Sequence, residues 1–357
     1  VTLDTHIGEV AGLDGVRLPD RLAGYDCRNN RLAELALCQD GFDTAVAAAR
    51  ERYGAHRIGV LLGTSTSGIL SAELAYRQRD KDTGALPSAF SFATTHSTGS
   101  LAEFVRVRLG LEGPAFVSSS ACATTSKVFA SAARMVAAGL CDAVVVGGAD
   151  SLCLTTLYGF HSLELVSPTP CRPFDADRRG VSLGEGAGFA LLERADPRPA
   201  PGTVHLLGAG ESSDAHHMST PHPEGLGARL AMERALTAAG LEPGDIDYVN
   251  LHGTATTYGD AAEDRAITGL FGTRTPVSST KGYTGHTLGA AGIVEAIISV
   301  LTLRAGLIPG SPQTRTLDPA LRSRYLQANE TGRMDRVMTN SFGFGGSNSA
   351  LVFGWAA

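Results

Sequence analysis

The chain has 357 residues, long enough for one large core or two domains. With 43% hydrophobic residues, 6% aromatics and 43 glycines, it has the composition of a globular protein with many tight turns, not a disordered one. The net charge is −6, no run of Lys or Arg occurs, and basic and aromatic residues do not interleave, which argues against a nucleic-acid partner.

In chain order, residues 1–25 carry weak signals and are expected to run over the surface. Apolar residues at helical spacing predict one helix over Arg31 to Tyr53. Ile58 to Gly63 reads as a buried strand running into the small-residue turn Thr64 to Gly68, which lacks the Gly-Lys-Ser/Thr ending of a P-loop. A second helix is expected over Thr95 to Leu109. Ala115 to Val117 is a short strand. Ser118 to Ser126 is a small-residue turn carrying Cys122, and Ala123 to Ala138 is a helix stopped by Gly139. Ala143 to Val146 is again a strand. Ser167 to Gly188 reads as a long polar loop, and Phe189 to Leu192 as a strand. The proline cluster Asp196 to Pro201 is the best internal boundary.

The second half repeats the rhythm. Strands are expected at Val204 to Leu207, Tyr248 to Leu251 and Val277 to Ser279. Helices are expected over Leu226 to Ala239 and from about Thr287 to Arg304. Arg336 to Asn340 and Ala350 to Phe353 form a strand pair around the Gly-rich turn Phe342 to Gly346. Ser118–Gly139 and Ser278–Gly306 are both strand end, small-residue turn and long helix. The pattern predicts a duplicated α/β unit with two stacked sheets, divided at 1–195 and 196–357. Apolar stretches such as Ile293 to Leu303, interrupted by Glu295, read as too short to span a bilayer, and no signal peptide is evident. The six cysteines (27, 38, 122, 141, 153, 171) form no CxxC pair and no zinc spacing, so reduced thiols in a cytoplasmic protein are expected.

Cys122 lies where a strand turns into a helix. Free backbone N–H groups and the positive end of the helix dipole favour a thiolate there. A buried packing cysteine fits the same spacing. His252, in His252-Gly253-Thr254-Ala255-Thr256, and His286, in Lys281-Gly282-Tyr283-Thr284-Gly285-His286, each lie in a Gly/Thr-rich turn just after a strand, where open α/β folds place their sites. His286 also precedes a helix whose dipole disfavours imidazolium, so it can donate a hydrogen bond to a carbonyl oxygen as a neutral ring. Lys281 is either a surface lysine or part of this cluster. Gly343, Gly345 and Gly346 let backbone N–H groups approach a ligand closely, as an oxyanion hole needs. His216-His217 does not read as a metal site, and no metal is expected. Cys141, Cys153 and Cys171 read as packing residues, and Asp175, Asp177 and Arg178 as loop salt bridges.

Together these patches resemble the elongating β-ketoacyl-acyl carrier protein synthases. The resemblance runs from about Ile58 to Phe353. It rests on Ser120-Ala121-Cys122-Ala123-Thr124, His252 to Thr256, Lys281 with Gly285-His286 and Leu288 to Gly292, and Asn340 to Gly346. It implies the thiolase fold, a duplicated five-layer αβαβα arrangement. It also implies an acyltransferase that joins a malonyl group on carrier protein to an enzyme-bound acyl chain with loss of CO2. Cys122 would be the nucleophile, and the N–H groups of Cys122 and Phe344 the oxyanion hole. His252 and His286 would hold the malonyl thioester carbonyl, so that loss of either slows condensation and spares acylation. Lys281 and Glu295 resemble the supporting pair, although helical spacing puts Glu295 opposite His286. Asp260 and Glu263 match structural acidic positions. Thr254, Thr256 and Ser219 match positions touching the pantetheine arm, and Phe344 matches the gate to the acyl pocket. No separate cofactor is implied, because the substrates ride on the phosphopantetheine arm of acyl carrier protein.

Arg28-Asn29-Asn30-Arg31, Gly63 to Gly68 and Glu211-Ser212-Ser213-Asp214-Ala215 look like the ketosynthases of aryl polyene pathways. Those pair with a chain-length-factor subunit, so the implied partners are acyl carrier protein and either a second copy or such a subunit. The family pattern opens with a strand that Val1-Thr2-Leu3-Asp4 lacks. Either a leading segment is missing from this sequence or the first strand is replaced. Glu164 stands near the place of a basic carrier-docking residue, so no docking residues are assigned. A coenzyme A-dependent priming synthase or thiolase would use Cys-His-Asn or Cys-His-Cys sets, which Lys281 with His286 does not match. A non-catalytic chain-length factor would lack Cys122.

Overall fold

In the computed structural model, which describes residues 3–356, all eight residues of the strand Ala143–Asp150 are buried. A strand with both faces covered loses the alternation of a half-exposed one. It lies in a four-stranded sheet ordered Ala115–Ser118, Ile58–Gly63, Ala143–Asp150, Gly186–Glu193, parallel except for the last. A second, six-stranded sheet runs Arg324–Tyr325, Pro276–Ser278, Tyr248–Asn250, Arg336–Gly343, Ser347–Trp355, Val204–Ser213. Its first four strands are parallel, and Ser347–Trp355 runs antiparallel to both of its neighbours, Arg336–Gly343 and Val204–Ser213.

The apolar clusters define five layers. Leu61, Val144 and Val146 of the first sheet meet Val337, Leu351 and Phe353 of the second through Phe129, Ala132, Ile293 and Ala296. Those four belong to the helices Thr124–Ala137 and Ala291–Ala305, which form the middle layer. Helices Arg28–Leu37, Phe42–Tyr53 and Gly99–Leu109 cover the outer face of the first sheet. Helices Leu226–Ala239 and Thr257–Phe271 cover that of the second. This is the αβαβα thiolase fold, and the two middle helices are the duplicated strand–turn–helix units that the sequence repeats.

Several expectations need correction. The helix over Arg31 to Tyr53 is two helices, broken where Asp40 and Gly41 both turn left-handed. The helix expected from Thr95 starts at Gly99, after a π-turn at Phe92–His96. The one expected from Thr287 starts at Ala291, after a 3-10 turn at Leu288–Ala290. The polar loop 167–188 contains the strand Leu183–Gly184 and the start of Gly186–Glu193. Residues 3–25 do not simply cover the surface: Ile7–Gly8 pairs with Leu183–Gly184, and Leu13 and Leu22 are buried. The segment Leu288–Ala305 is long and apolar enough to cross a membrane, contrary to the length argument. It is the mostly buried middle-layer helix with its lead-in turn. Val1 and Thr2 lie outside the described residues. Among the described residues, no strand lies beside Gly186–Glu193 where Val204–Ser213 stands in the second sheet.

Candidate active site

Three turns converge at one end of the middle layer. Each holds a non-glycine residue in the left-handed region: Ala121 before Cys122, Ala255 after His252 and Leu288 after His286. Such backbone costs energy and persists where surrounding contacts enforce it. The turns bring Cys122 Sγ within 3.0 Å of His286 Nε2. The rings of His252 and His286 meet edge to face, with centroids 5.4 Å apart. All three side chains are buried.

Behind His252 stands Lys281, buried although it is a lysine. Its Nζ lies 3.5 Å from His252 Nδ1 and makes a very short contact with Glu295 Oε1. An ammonium can only donate, so Nδ1 accepts and the ring proton resides on Nε2, facing the cavity. The expected link from Glu295 thus runs through Lys281 to His252, not to His286. Glu263 accepts the backbone N–H groups of His252 and Gly253, both at 2.8 Å, and so shapes that turn. Asp260 accepts from Phe174 and Ala255. Burial pushes Glu263 up to about 7 and Asp260 up to about 6, against the pull of those N–H donors.

The electrostatics revise two expectations. Burial pushes the Cys122 thiol up to about 12, although the Lys281 charge and the Phe344 N–H both pull it down. The helix opens only at Thr124, and its dipole does not offset this desolvation. The resting sulfur is therefore a thiol that needs help to lose its proton. His286 is neutral as expected, but for another reason. Burial first and the charge of Lys281 second hold it well below the usual histidine range, while the helix proper begins beyond the 3-10 turn. The same two causes, joined by His286, depress His252.

A cavity of about 450 Å³ reaches this cluster. Cys122, His252, His286, Phe344, Thr254, Thr256, Ser219 and Glu263 line it, whereas Lys281, Glu295 and Asp260 stand behind the wall. Thr256 also caps the helix Thr257–Phe271, and its hydroxyl lies 3.1 Å from that of Thr254. The Phe344 N–H faces Cys122. A Cβ at Gly343 would approach Cys122 N and Ala123 N to 3.1 Å, so the loop reaches this close only with glycine there. Glu164 is exposed at the cavity mouth, beside exposed Arg179. The donor atoms of Cys122, His252 and His286 lie within 4.8 Å of one another. With the Lys281 ammonium behind them, they suit an oxygen that gains negative charge better than they suit a cation.

Sequence reasoning missed three groups. Phe160, on the helix Leu154–Ser162, stacks on Phe344 with centroids 5.3 Å apart. Asp214 holds the Phe344 loop, accepting from Asn348 Nδ2 at 2.8 Å and donating its own N–H to Gly346 O. Asp150 is a carboxylate at the end of an otherwise apolar strand, and that contrast was a readable signal. Cys171 lies buried against Thr254 O, and Arg178 pairs with Asp318, as packing and loop roles require.

Two family models match in tandem: the β-ketoacyl synthase N-terminal domain over residues 32–198 and its C-terminal domain over residues 204–315. The chain is 36% identical over 336 residues to 3-oxoacyl-[acyl-carrier-protein] synthase 2 of Staphylococcus aureus, covering 87% of this chain and 82% of that one. It is 41% identical over 267 residues to a mitochondrial 3-oxoacyl-[acyl-carrier-protein] synthase of Arabidopsis thaliana. That match takes in 70% of this chain and 58% of the plant protein, less than two thirds of its length. The ketosynthase ApeO of Xenorhabdus doucetiae, solved in complex with its chain length factor ApeC, superposes with a TM-score of 0.90 at 41% identity, over 99% of this chain and 87% of that one.

Proposed function

The chain belongs to the β-ketoacyl synthase family, whose named relatives are acyltransferases, and from that premise we propose that it carries out decarboxylative condensation of malonyl-acyl carrier protein with an acyl chain held on Cys122. The observation that carries this is the Cys122–His286 contact at 3.0 Å, with His252 beside it and Lys281–Glu295 behind.

In the first half-reaction, Cys122 Sγ attacks the thioester carbonyl of the acyl-carrier protein. The proton of the buried thiol leaves through His286 Nε2, and Lys281 stabilises the thiolate. The C–S bond to the carrier breaks, and the pantetheine thiol departs with that proton. The tetrahedral oxyanion is held by the N–H groups of Cys122 and Phe344. In the second half-reaction, the bond from the malonyl α-carbon to its carboxylate breaks and CO2 leaves. The electron pair passes to an enolate whose oxygen receives the Nε2–H of His252 and, once His286 has changed from the tautomer that accepted the thiol proton to the one protonated at Nε2, that of His286 as well. The carbanion then attacks the acyl-enzyme carbonyl, the C–S bond to Cys122 breaks, and the departing thiolate takes up a proton from water. Substrates arrive on the phosphopantetheine arm, past Thr254, Thr256 and Ser219, with no separate cofactor.

The resemblance to aryl polyene ketosynthases, together with the likeness to ApeO, supports a specialised polyene pathway and a chain-length-factor partner rather than a homodimer. The strand Ala115–Ser118 forms an edge of the first sheet and exposes Phe116, which suits pairing with a partner's sheet. A cytoplasmic location fits six free cysteines. The test is intact mass after mixing with an acyl-carrier protein, alone and with a candidate partner subunit. One acyl mass on the parent, absent from Cys122→Ala, followed by malonyl-dependent extension, supports the reading. An adduct on both proteins, or on neither under both conditions, removes it.

A further inference from the structure

Three polar features outside the catalytic set remain without a role: the carboxylate of Asp150, the turn Thr64–Ser67, and the Arg28–Arg31 segment. The first two form one network, bordered by Asn29 of the third, and it ends on a single peptide group. Asp150 Oδ1 accepts four hydrogen bonds from that turn: Thr64 Oγ1 at 2.7 Å, Ser65 N at 2.7 Å, Thr66 N at 2.8 Å and Thr66 Oγ1 at 2.9 Å. Asn29 Oδ1 lies 3.5 Å from Thr66 Oγ1, but the single hydroxyl proton goes to the closer carboxylate, so the 28–31 segment borders this network and is not bonded into it by Thr66. The other oxygen, Oδ2, accepts the N–H of Gly289 at 2.6 Å.

The carbonyl of that same residue is also taken. Thr125 Oγ1 donates to Gly289 O at 2.6 Å and accepts from Ile293 N at 2.9 Å. A Cβ at Gly289 would stand 2.6 Å from Ser65 Oγ and 2.8 Å from Asp150 Oδ2, so only glycine brings this peptide between them. Gly289 follows His286 by one short turn, and the intervening Leu288 is left-handed at φ +54°. Thr125 belongs to the helix that opens just after Cys122.

His286 is therefore anchored on two sides. Upstream, its backbone bonds to Ser182 O at 2.7 Å and Gly184 N at 3.0 Å. Downstream, the Gly289 grip ties it to the nucleophile's helix and to the end of the strand Ala143–Asp150. We propose that Asp150 and Thr125 are positioning residues that grip the Gly289 peptide from both ends and thereby set the His286 imidazole against the Cys122 sulfur. The inference rests on the condensing reaction for its rate readout only. The Cys122–His286 contact itself can be followed without carrier protein.

Three variants separate a positioning role from a structural one. Asp150→Asn can keep one oxygen for its four donors, which leaves an amide NH2 facing the Gly289 N–H. Thr125→Val removes the grip on the carbonyl at constant shape. Thr66→Val removes a bond to Asp150 but none to Gly289. Two quantities are read on the full-length protein, with its partner subunit if one is required. The first is the rate of Cys122 alkylation by iodoacetamide at pH 8, followed on its own peptide by mass spectrometry. The second is kcat and KM for malonyl-carrier protein.

An ångström of misplacement costs up to about 100-fold in rate. Asp150→Asn and Thr125→Val are expected to lower kcat about 10- to 100-fold, with KM within about threefold, and to slow alkylation about 10-fold. Thr66→Val is expected to stay within about threefold on both. The proposal is overturned if Asp150→Asn and Thr125→Val alkylate like the parent, or if Thr66→Val falls with them. Should Asp150→Asn fail to fold, the contrast between Thr125→Val and Thr66→Val decides. A parent that alkylates normally but condenses nothing would count against the proposed reaction, and the alkylation contrast would still decide the grip.

Discussion

Replacing Lys281 by Met keeps most of the side-chain stem and removes the ammonium. Two separable losses follow. Glu295 stays buried beside a vanished partner, and an uncompensated buried charge costs about 3–5 kcal/mol. For a chain of 357 residues, an unfolding entropy of about 2.1 cal/mol/K per residue turns this into a fall in Tm of about 4–7 °C. The second loss is catalytic. His252 Nδ1 loses its donor, so the proton is no longer directed to Nε2, and Cys122 loses the cation that most lowers its pKa. Misassigned tautomers cost up to about 10⁴-fold in related chemistry; the longer 3.5 Å contact here sets the expectation at about 100-fold in kcat. Adding Glu295→Gln removes the stranded carboxylate, so the double variant should regain most of the lost Tm and none of the lost kcat. Thermal unfolding and the yield of extended carrier protein, followed by mass spectrometry, measure the two terms. Recovery of kcat along with Tm would mean that Lys281 merely balances Glu295, and the account of His252 would be wrong.

Other outcomes follow from the same geometry. His286 touches the sulfur and His252 does not, which revises the expectation that loss of either spares acylation: His252→Ala should acylate at about the parent rate and fail in condensation, whereas His286→Ala should be slower in both. Equal acylation by the two variants, timed by intact mass, would contradict this division. Gly343→Ala places a methyl 3.1 Å from Cys122 N and forces the loop outward by a few tenths of an ångström. It should lower kcat about 10-fold, within the 10²–10³ that losing a whole oxyanion donor costs, at little change in Tm. Glu263 has its folded pKa raised to about 7, above its unfolded value, so its protonated form stabilises the fold at low pH and that contribution is lost as pH rises through 7. The Tm advantage of the parent over Glu263→Gln should therefore widen from pH 8 to pH 5, and a constant or narrowing difference would refute the burial argument.

The repeated strand–turn–helix was legible because both middle helices are long, contain many small and apolar residues, and follow short apolar strands through turns of small residues. What the sequence concealed is mostly a matter of burial. Thr257–Phe271 escaped notice because its inner face carries Asp260, Glu263 and Asp264, which are buried with backbone N–H partners supplied by distant loops. Its apolar stripe, Ala262, Ala266 and Ile267, is thin and runs beside those carboxylates, which masks it. The break at Asp40–Gly41 carried a turn signal that helical spacing on either side masked. Cys122, His252, His286 and Lys281 were legible as residues, since each follows a strand in a turn of small residues. Their protonation was not, because local position predicts a helix dipole while tertiary burial dominates the sulfur. Asp150 and Thr125 act on a peptide more than 130 residues away, as the separations of 139 and 164 show, and no local pattern announces that.

Burial and Lys281 act together in a way that suits carbon–carbon bond formation. Burial alone would suppress every charge in the cavity, thiolate included. One buried cation breaks that symmetry: it lowers the cost of an anion and raises the cost of a second cation. His252 and His286 are thereby kept neutral at the moment when CO2 departs and negative charge builds on the enolate oxygen. A neutral imidazole can hold that oxygen by a hydrogen bond but is a poor acid. An imidazolium at the same distance would hand over its proton and quench the carbanion before it reached the acyl group on Cys122. The depressed histidines are thus what separates condensation from simple decarboxylation. Introducing a carboxylate beside either ring, which would favour imidazolium, should shift the products from extended chain towards unextended acetyl-carrier protein.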